Sequence, residues 1–249
     1  MMLWYKAWRE SRARFLIGAA VVVGLCAVIV VFQQAIQARI HTALTVHTYA
    51  GYIYRIAYAG TVRGVFAIVA PILALGGLQR ERVQHTDAFT LALPVSRRAL
   101  LTARVAVGLL EIVVLSLLPA VVICSLSPFV HESYPWSQAL QFSVLWAVVG
   151  ASGFAVWLLA SVIFSGEYTA FTVCWIIAFF STPLTQRPSL RWLHLSGNYI
   201  MSGWDMPYLD PQTNMLIGPF PWTTLSIWLM VAFGFVALAV RILRTQDFA

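Results

Sequence analysis

RVAVGLLEIVVLSLLPAVVICSL, residues 104–126, is one apolar run that holds a single acid, Glu111, and a single proline, Pro119. A bilayer crossing takes about 20 apolar residues, and this run is long enough. Working outward from it, similar runs lie at about 15–37, 60–78, 138–164, 168–184 and 222–243. The chain is 60% hydrophobic and only 10% charged, where soluble domains are about 45–50% apolar and about 25% charged. The expected fold is therefore an all-α polytopic membrane protein with six transmembrane helices, residues 1–249 forming one transmembrane domain. Pro71 and Pro119 fall inside spans two and three, where membrane helices tolerate proline as a kink.

Sixteen Lys and Arg against nine Asp and Glu give a net charge of +7. In a membrane chain that excess marks cytoplasmic loops and anionic headgroups rather than nucleic acid. With the N-terminus in the cytoplasm, the inner segments hold Lys6, Arg9, Arg12, Arg14, Arg80, Arg82, Arg97, Arg98, Arg104, Arg241 and Arg244. The outer segments hold Arg39, Arg55, Arg63, Arg187 and Arg191. The bias places both termini in the cytoplasm. The basic start MMLWYKAWRESRAR is read as the flank of an uncleaved first span, because the apolar run after it exceeds a signal-peptide core and no A-x-A site closes it.

Residues 3–14 carry a second pattern. Trp4, Ala7, Trp8 and Ser11, followed by Phe15, fall on one helical face, with Lys6, Arg9 and Glu10 on the other. That suits an interfacial helix with its tryptophans at headgroup depth. The outer connection 38–59 is rich in tyrosine (Tyr49, Tyr52, Tyr54, Tyr58). The longer extracytoplasmic loop 185–221 has tryptophans, prolines and few charges, which predicts short helices packed against protein.

Several chemistries find no support in the residues. Cys26, Cys124 and Cys174 all lie in apolar runs with no CxxC, so neither a disulfide framework nor a zinc site is implied. His41, His47, His85, His131 and His194 are scattered over loops on both sides. Lys6 is the only lysine, so the G-x-x-x-x-G-K-[ST] loop that binds ATP phosphates cannot form here; any ATPase is another polypeptide. Gly150-Ala151-Ser152-Gly153 matches the GxSG nucleophile of rhomboid-type intramembrane proteases, but serine catalysis needs a histidine base and the sixth run has none. The small residues also serve close helix approach. Glu111 is the one acid well inside a span, a functional candidate by its cost there. Arg104, seven residues earlier on nearly the same face, is its expected partner.

Between spans two and three lies QRERVQHTDAFTLALPVSRRALLTAR, residues 79–104, basic and cytoplasmic. Thr86 or Asp87 can cap a short helix, and Asp87 suits its positive end. Ala88, Phe89, Leu91, Ala92 and Leu93 give it an apolar face. Pro94 stops it, and Ser96 can cap the helix that enters span three. Arg97 and Arg98 suit lipid phosphates or acids on a partner, and Glu81 either a partner contact or a local ion pair.

With its basic N-terminal helix, Arg80-Glu81, Thr86, Leu93-Pro94-Val95-Ser96-Arg97 and a tail of the R-x-x-x-x-D-F kind from Arg244 to Phe248, the chain resembles the permease subunits of type-2 ABC exporters. His85 stands where a glycine is usual in that family. The resemblance implies that residues 79–103 form a coupling helix docked on a cytoplasmic ATPase, through Glu81, Thr86, Asp87, Phe89, Leu93, Pro94, Arg97 and Arg98. It implies two ATPase subunits that carry ATP and Mg, a second permease as homodimer or heterodimer partner, and a place in the bacterial inner membrane. It implies no catalytic residue, metal or cofactor in this chain. The other readings are a stand-alone ion-coupled secondary transporter, with Glu111 as its acid, and an intramembrane serine protease.

Overall fold

The computed structural model of the chain describes residues 2–40, 48–74, 97–164, 197–203 and 220–245, with shorter pieces at 169, 172–173, 175–176, 209–210 and 213–217. In chain order the helices are α1 (Met2–Val31), α2 (Gln33–Ile40), α3 (Tyr49–Ile53), α4 (Thr61–Ala74), α5 (Arg97–Leu126), α6 (Trp136–Ile163), α7 (Gly197–Ser202) and α8 (Trp222–Thr245). A π turn, Tyr54–Tyr58, joins α3 to α4, and a 3-10 turn, Ser127–Val130, ends α5. Among the described residues, five stretches are long and apolar enough to cross a membrane: Leu3–Val31, Tyr49–Ala74, Ala99–Val130, Trp136–Ile163 and Trp222–Ile242. The architecture is that of an all-helical, multi-pass membrane protein. The run expected at 168–184 falls largely outside the described residues.

Two boundaries differ from the sequence reading. The helix expected over 3–14 is present, but it continues without a break into the first span as α1. The tyrosine-rich segment from Tyr49, expected in an outer loop, is helical and belongs to the second apolar stretch. Thr48 starts it by accepting a hydrogen bond from the Gly51 N–H at 3.2 Å, which satisfies one of the free donors of a first turn. The π turn closes where the Ala59 N–H donates to the Tyr54 carbonyl at 2.7 Å. Gly60 is required there: a Cβ would stand 2.5 Å from the Arg55 carbonyl oxygen and 2.6 Å from that of Ile56. Three of the segment's tyrosines, Tyr52, Tyr54 and Tyr58, are buried.

Helices α5 and α6 form the centre. α1 lies along α5 and also meets α4, while α6 is flanked by α5, α4 and α8. In α6, 67% of the apolar window is enclosed by protein, against 17% in α8; α8 presents Phe233, 76% exposed, outward. Lipid tails are as apolar as leucine, so such helices associate through close packing rather than exclusion from water. Small residues permit it. A Cβ on Gly150 would come 2.8 Å from Phe66 and 2.9 Å from Ile112, and one on Gly108 would come 2.5 Å from the Phe154 ring.

Away from the N-terminal end, an aromatic cluster ties α4, α6 and the α5–α6 connection together. The Tyr58 ring stacks on Phe142 with centroids 4.4 Å apart and on Tyr134 at 5.9 Å, and meets Trp146 edge-on at 5.7 Å. Such ring pairs add about 0.5–1.5 kcal/mol each beyond burial. Burial raises the phenol pKa of Tyr134, in the connection between spans. Within the segment 185–221, α7 packs on α6, and the Trp146 indole N–H donates to the Met201 carbonyl at 2.9 Å.

Candidate functional site

The N-terminal half of α1 meets the first turns of α5, and Lys6, Glu10, Arg104 and Glu111 gather there. Helix periodicity puts Ala7, Ser11 and Phe15 on one face, and Trp8 leans on Phe15 with ring centroids 5.7 Å apart. Ala7 is buried against the bundle, whereas Trp4 points away, 52% exposed. On α5, Arg104 and Glu111 are seven residues apart. They therefore share a face, about 10 Å apart along the axis.

The sequence expectation of an Arg104–Glu111 pair is not what forms. Arg104 Nη2 donates to Glu10 Oε2 at 2.9 Å, and Lys6 Nζ stands 3.8 Å from Glu10 Oε1. Glu111 instead shares a hydrogen bond with Ser11 through Oε1. The helical wheel assigned Glu10 to the water-facing side because a wheel of α1 alone does not contain α5. Among the described residues no ion pair reaches Glu111, which is 0% exposed, and its Oε2 has no hydrogen-bond partner.

A cavity of about 30 Å³ adjoins these groups, between α1, the end of α4, α5 and α6. Its polar wall is Glu10, Ser11, Arg104 and Glu111; Leu73, Phe154 and Leu158 form the apolar side. A space above about 10–15 Å³ by this measure admits a water. The arrangement combines an ion pair nearer the helix starts, a buried carboxyl deeper in, and a small polar void beside them. It can hold α1 against α5, hold water, and hold or release a proton.

The other sequence candidates fall as follows. Glu81, Thr86, Asp87, Phe89, Leu93 and Pro94 lie outside the described residues. Arg97 and Arg98 open α5, at the position expected for the helix entering span three. Ser152 is buried, and its hydroxyl lies 3.0 Å from both the Val148 and Trp228 carbonyl oxygens, so its hydrogen-bond partners are backbone groups that join α6 to α8. With Gly150 filled against Phe66 and Ile112, the GxSG segment has a packing role. Glu10 and Ser11 are the site residues that the sequence reading missed. Ser11 left a signal: a polar side chain on the apolar face of a helix needs a partner from elsewhere. The chain matches no family model and no curated protein.

Proposed function

We propose that the chain is the membrane-spanning permease subunit of an ATP-binding-cassette exporter, with both ends in the cytoplasm of a bacterial cell and its ATPase on another polypeptide. The observation that carries this reading is α5. From Arg97, the first residue described after the connector, it continues unbroken to Leu126 while touching α1, α4, α6 and α8. A displacement of the connector enters a rod that contacts every other long helix among the described residues. Pro94 separates the docking helix from that rod, and residues 79–96 present Glu81, Thr86, Asp87, Phe89 and Leu93 to the ATPase. Arg97 and Arg98 sit where the rod meets the membrane surface. Two copies, or one copy and a second permease, enclose the pathway, and two ATPase subunits drive it.

Purification of the chain from its native membrane in mild detergent tests this. A P-loop ATPase is expected to co-purify in stoichiometric amount; transport that persists with no nucleotide-binding partner present defeats the reading. An ion-coupled carrier is the second reading, favoured by one observation, the buried Glu111 with its unpartnered oxygen. In that case transport runs on an ion gradient and continues without ATP.

A further inference from the structure

Ser11 Oγ has one hydrogen and three groups in reach of it, one of them the Trp8 carbonyl oxygen at 3.4 Å. It lies 3.2 Å from the Ala7 carbonyl oxygen, four residues back on its own helix, and in hydrogen-bond contact with Glu111 Oε1. Several serines give their hydrogen to the preceding turn: Ser143 to Ala139 at 3.0 Å, Ser226 to Trp222 at 2.8 Å and, at the end of α5, Ser127 to Ile123 at 2.7 Å, while Ser152 lies 3.0 Å from both the Val148 and the Trp228 carbonyl oxygens. That is the habit of hydroxyls in apolar helices, where no water competes for the carbonyl. Ser127 shows the consequence. With its own hydrogen on Ile123, it is left as the acceptor for the Tyr49 hydroxyl, 2.7 Å away. If Ser11 behaves as Ser127 does, the group facing it brings the second hydrogen. Tyr49 has one in its hydroxyl; Glu111 has one only as the neutral acid.

The surroundings agree with a neutral acid. Of the ionisable groups on the elements packed around Glu111 (Tyr5, Lys6, Arg9, Glu10, Arg12, Arg14 and Cys26 on α1, Arg63 on α4, and Arg97, Arg98, Arg104 and Cys124 on α5), Glu10 and Arg104 line the cavity beside it. Lys6 and Arg104 are engaged with Glu10, and no ion pair forms with Glu111 among the described residues. The walls from α4 and α6 at the cavity are Leu73, Ala74, Phe154, Leu158 and Ser161. An unpaired charge among such groups is expensive. Among the described residues the second carboxyl oxygen, Oε2, has no partner, and Glu111 lines a cavity large enough for water.

We propose that Glu111 is a proton-binding site whose bound proton fastens α1 to α5. In the loaded state Glu111 donates from Oε1 to Ser11 Oγ, Ser11 donates to the Ala7 carbonyl, and Oε2 accepts from a water in the cavity. The proton comes from water at the N-terminal end of the bundle and returns to water there; no electron moves and no covalent bond between heavy atoms changes. When the proton leaves, a carboxylate and a carbonyl compete for the one serine hydrogen, and a charge faces Leu73, Phe154 and Leu158. Among the described residues Glu10–Arg104 is then the polar tie left across the seam, beside its apolar packing. The proposal is independent of what powers transport, because it concerns a proton equilibrium in the chain itself.

Infrared spectroscopy of the full chain in lipid nanodiscs, labelled with carboxyl-¹³C glutamate, reads the site directly. At neutral pH a protonated-carboxyl C=O band is expected that shifts with the label, shifts again in D₂O, and is lost entirely in Glu111→Gln. In Ser11→Ala the same band should persist and move to higher frequency, since the acid has lost its acceptor; this second variant keeps the test valid if Glu111→Gln does not fold. No label-sensitive protonated band at neutral pH, or a band that survives unchanged in Glu111→Gln, overturns the proposal. So does a band whose frequency is the same with and without Ser11.

Discussion

Reversing the charge at either end of the Glu10–Arg104 pair is expected to loosen α1 from α5, and reversing both is expected to restore most of the loss. The two side chains meet at 2.9 Å with Arg104 10% exposed and Glu10 28% exposed. Fully exposed pairs are worth about 0.2–1 kcal/mol, while removing one partner of a buried pair costs about 3–5 kcal/mol. The gross Coulomb attraction for charges about 4 Å apart at an effective dielectric near 20 is about 4 kcal/mol. Desolvation of Arg104 and screening at the partly exposed Glu10 offset more than half of it, which leaves a coupling of about 1–2 kcal/mol. Each single reversal, Glu10→Arg or Arg104→Glu, replaces that attraction with repulsion and should cost about 2–3 kcal/mol by the same bounds. Glu10→Arg should be the worse, because it also faces Lys6, 3.8 Å from the present carboxylate. The assay is thermal unfolding of the purified chain in mild detergent, followed by the fluorescence of its ten tryptophans. At about 2–4 °C per kcal/mol for chains of 150–250 residues, the singles should lower Tm by about 4–12 °C. The double swap should recover at least half of the summed loss, and the recovery should shrink in high salt. A double swap whose loss equals the sum of the singles, or singles with unchanged Tm, would refute the reasoning.

Three further outcomes follow from individual contacts. Gly108→Ala places a Cβ 2.5 Å from the Phe154 ring, where carbon atoms prefer about 3.5–4.0 Å; overpacking of this kind costs about 1–3 kcal/mol. The Gly153→Ala control, with nothing within 4 Å of its new Cβ, should unfold at or above the wild-type temperature. Gln138→Ala removes both a bond from its amide to the Leu216 carbonyl and one from the Leu216 N–H to its Oε1, each 2.9 Å. Hydrogen exchange at the Leu216 amide should quicken while α5 stays protected. Trp146→Phe keeps a ring beside Tyr58 and Phe66 but leaves the Met201 carbonyl without its 2.9 Å donor; the cost should be about 1–3 kcal/mol, read in the same unfolding assay.

The spans were legible because crossing a bilayer sets a length and a composition, and α5 and α6 meet both without reference to their neighbours. What the sequence hid was which residues face one another. Tyr52, Tyr54 and Tyr58 lie between the apolar runs 15–37 and 60–78, so run length alone leaves them in a connection, while in the fold Tyr54 and Tyr58 pack on Phe142 of α6 and the Tyr52 hydroxyl donates to the Ile29 carbonyl of α1. Arg104 and Glu111 share a face of one helix, and that local geometry made them partners on paper. Glu10 and Ser11, arriving from a helix about a hundred residues earlier, take one each. Glu111 itself was found from sequence because an acid within an apolar run is conspicuous anywhere; its partner was not, because a serine in a helix usually bonds its own backbone.

The central claim, that this chain receives its motion from an ATPase through the segment before α5, is tested most directly at Phe89. A photo-crosslinking amino acid in place of Phe89, activated in intact native cells, should join the chain to a polypeptide bearing a P-loop, with the yield changing when cellular ATP is depleted. Adducts to lipid or to the chain itself alone, with no nucleotide-binding partner and no response to ATP, would contradict it.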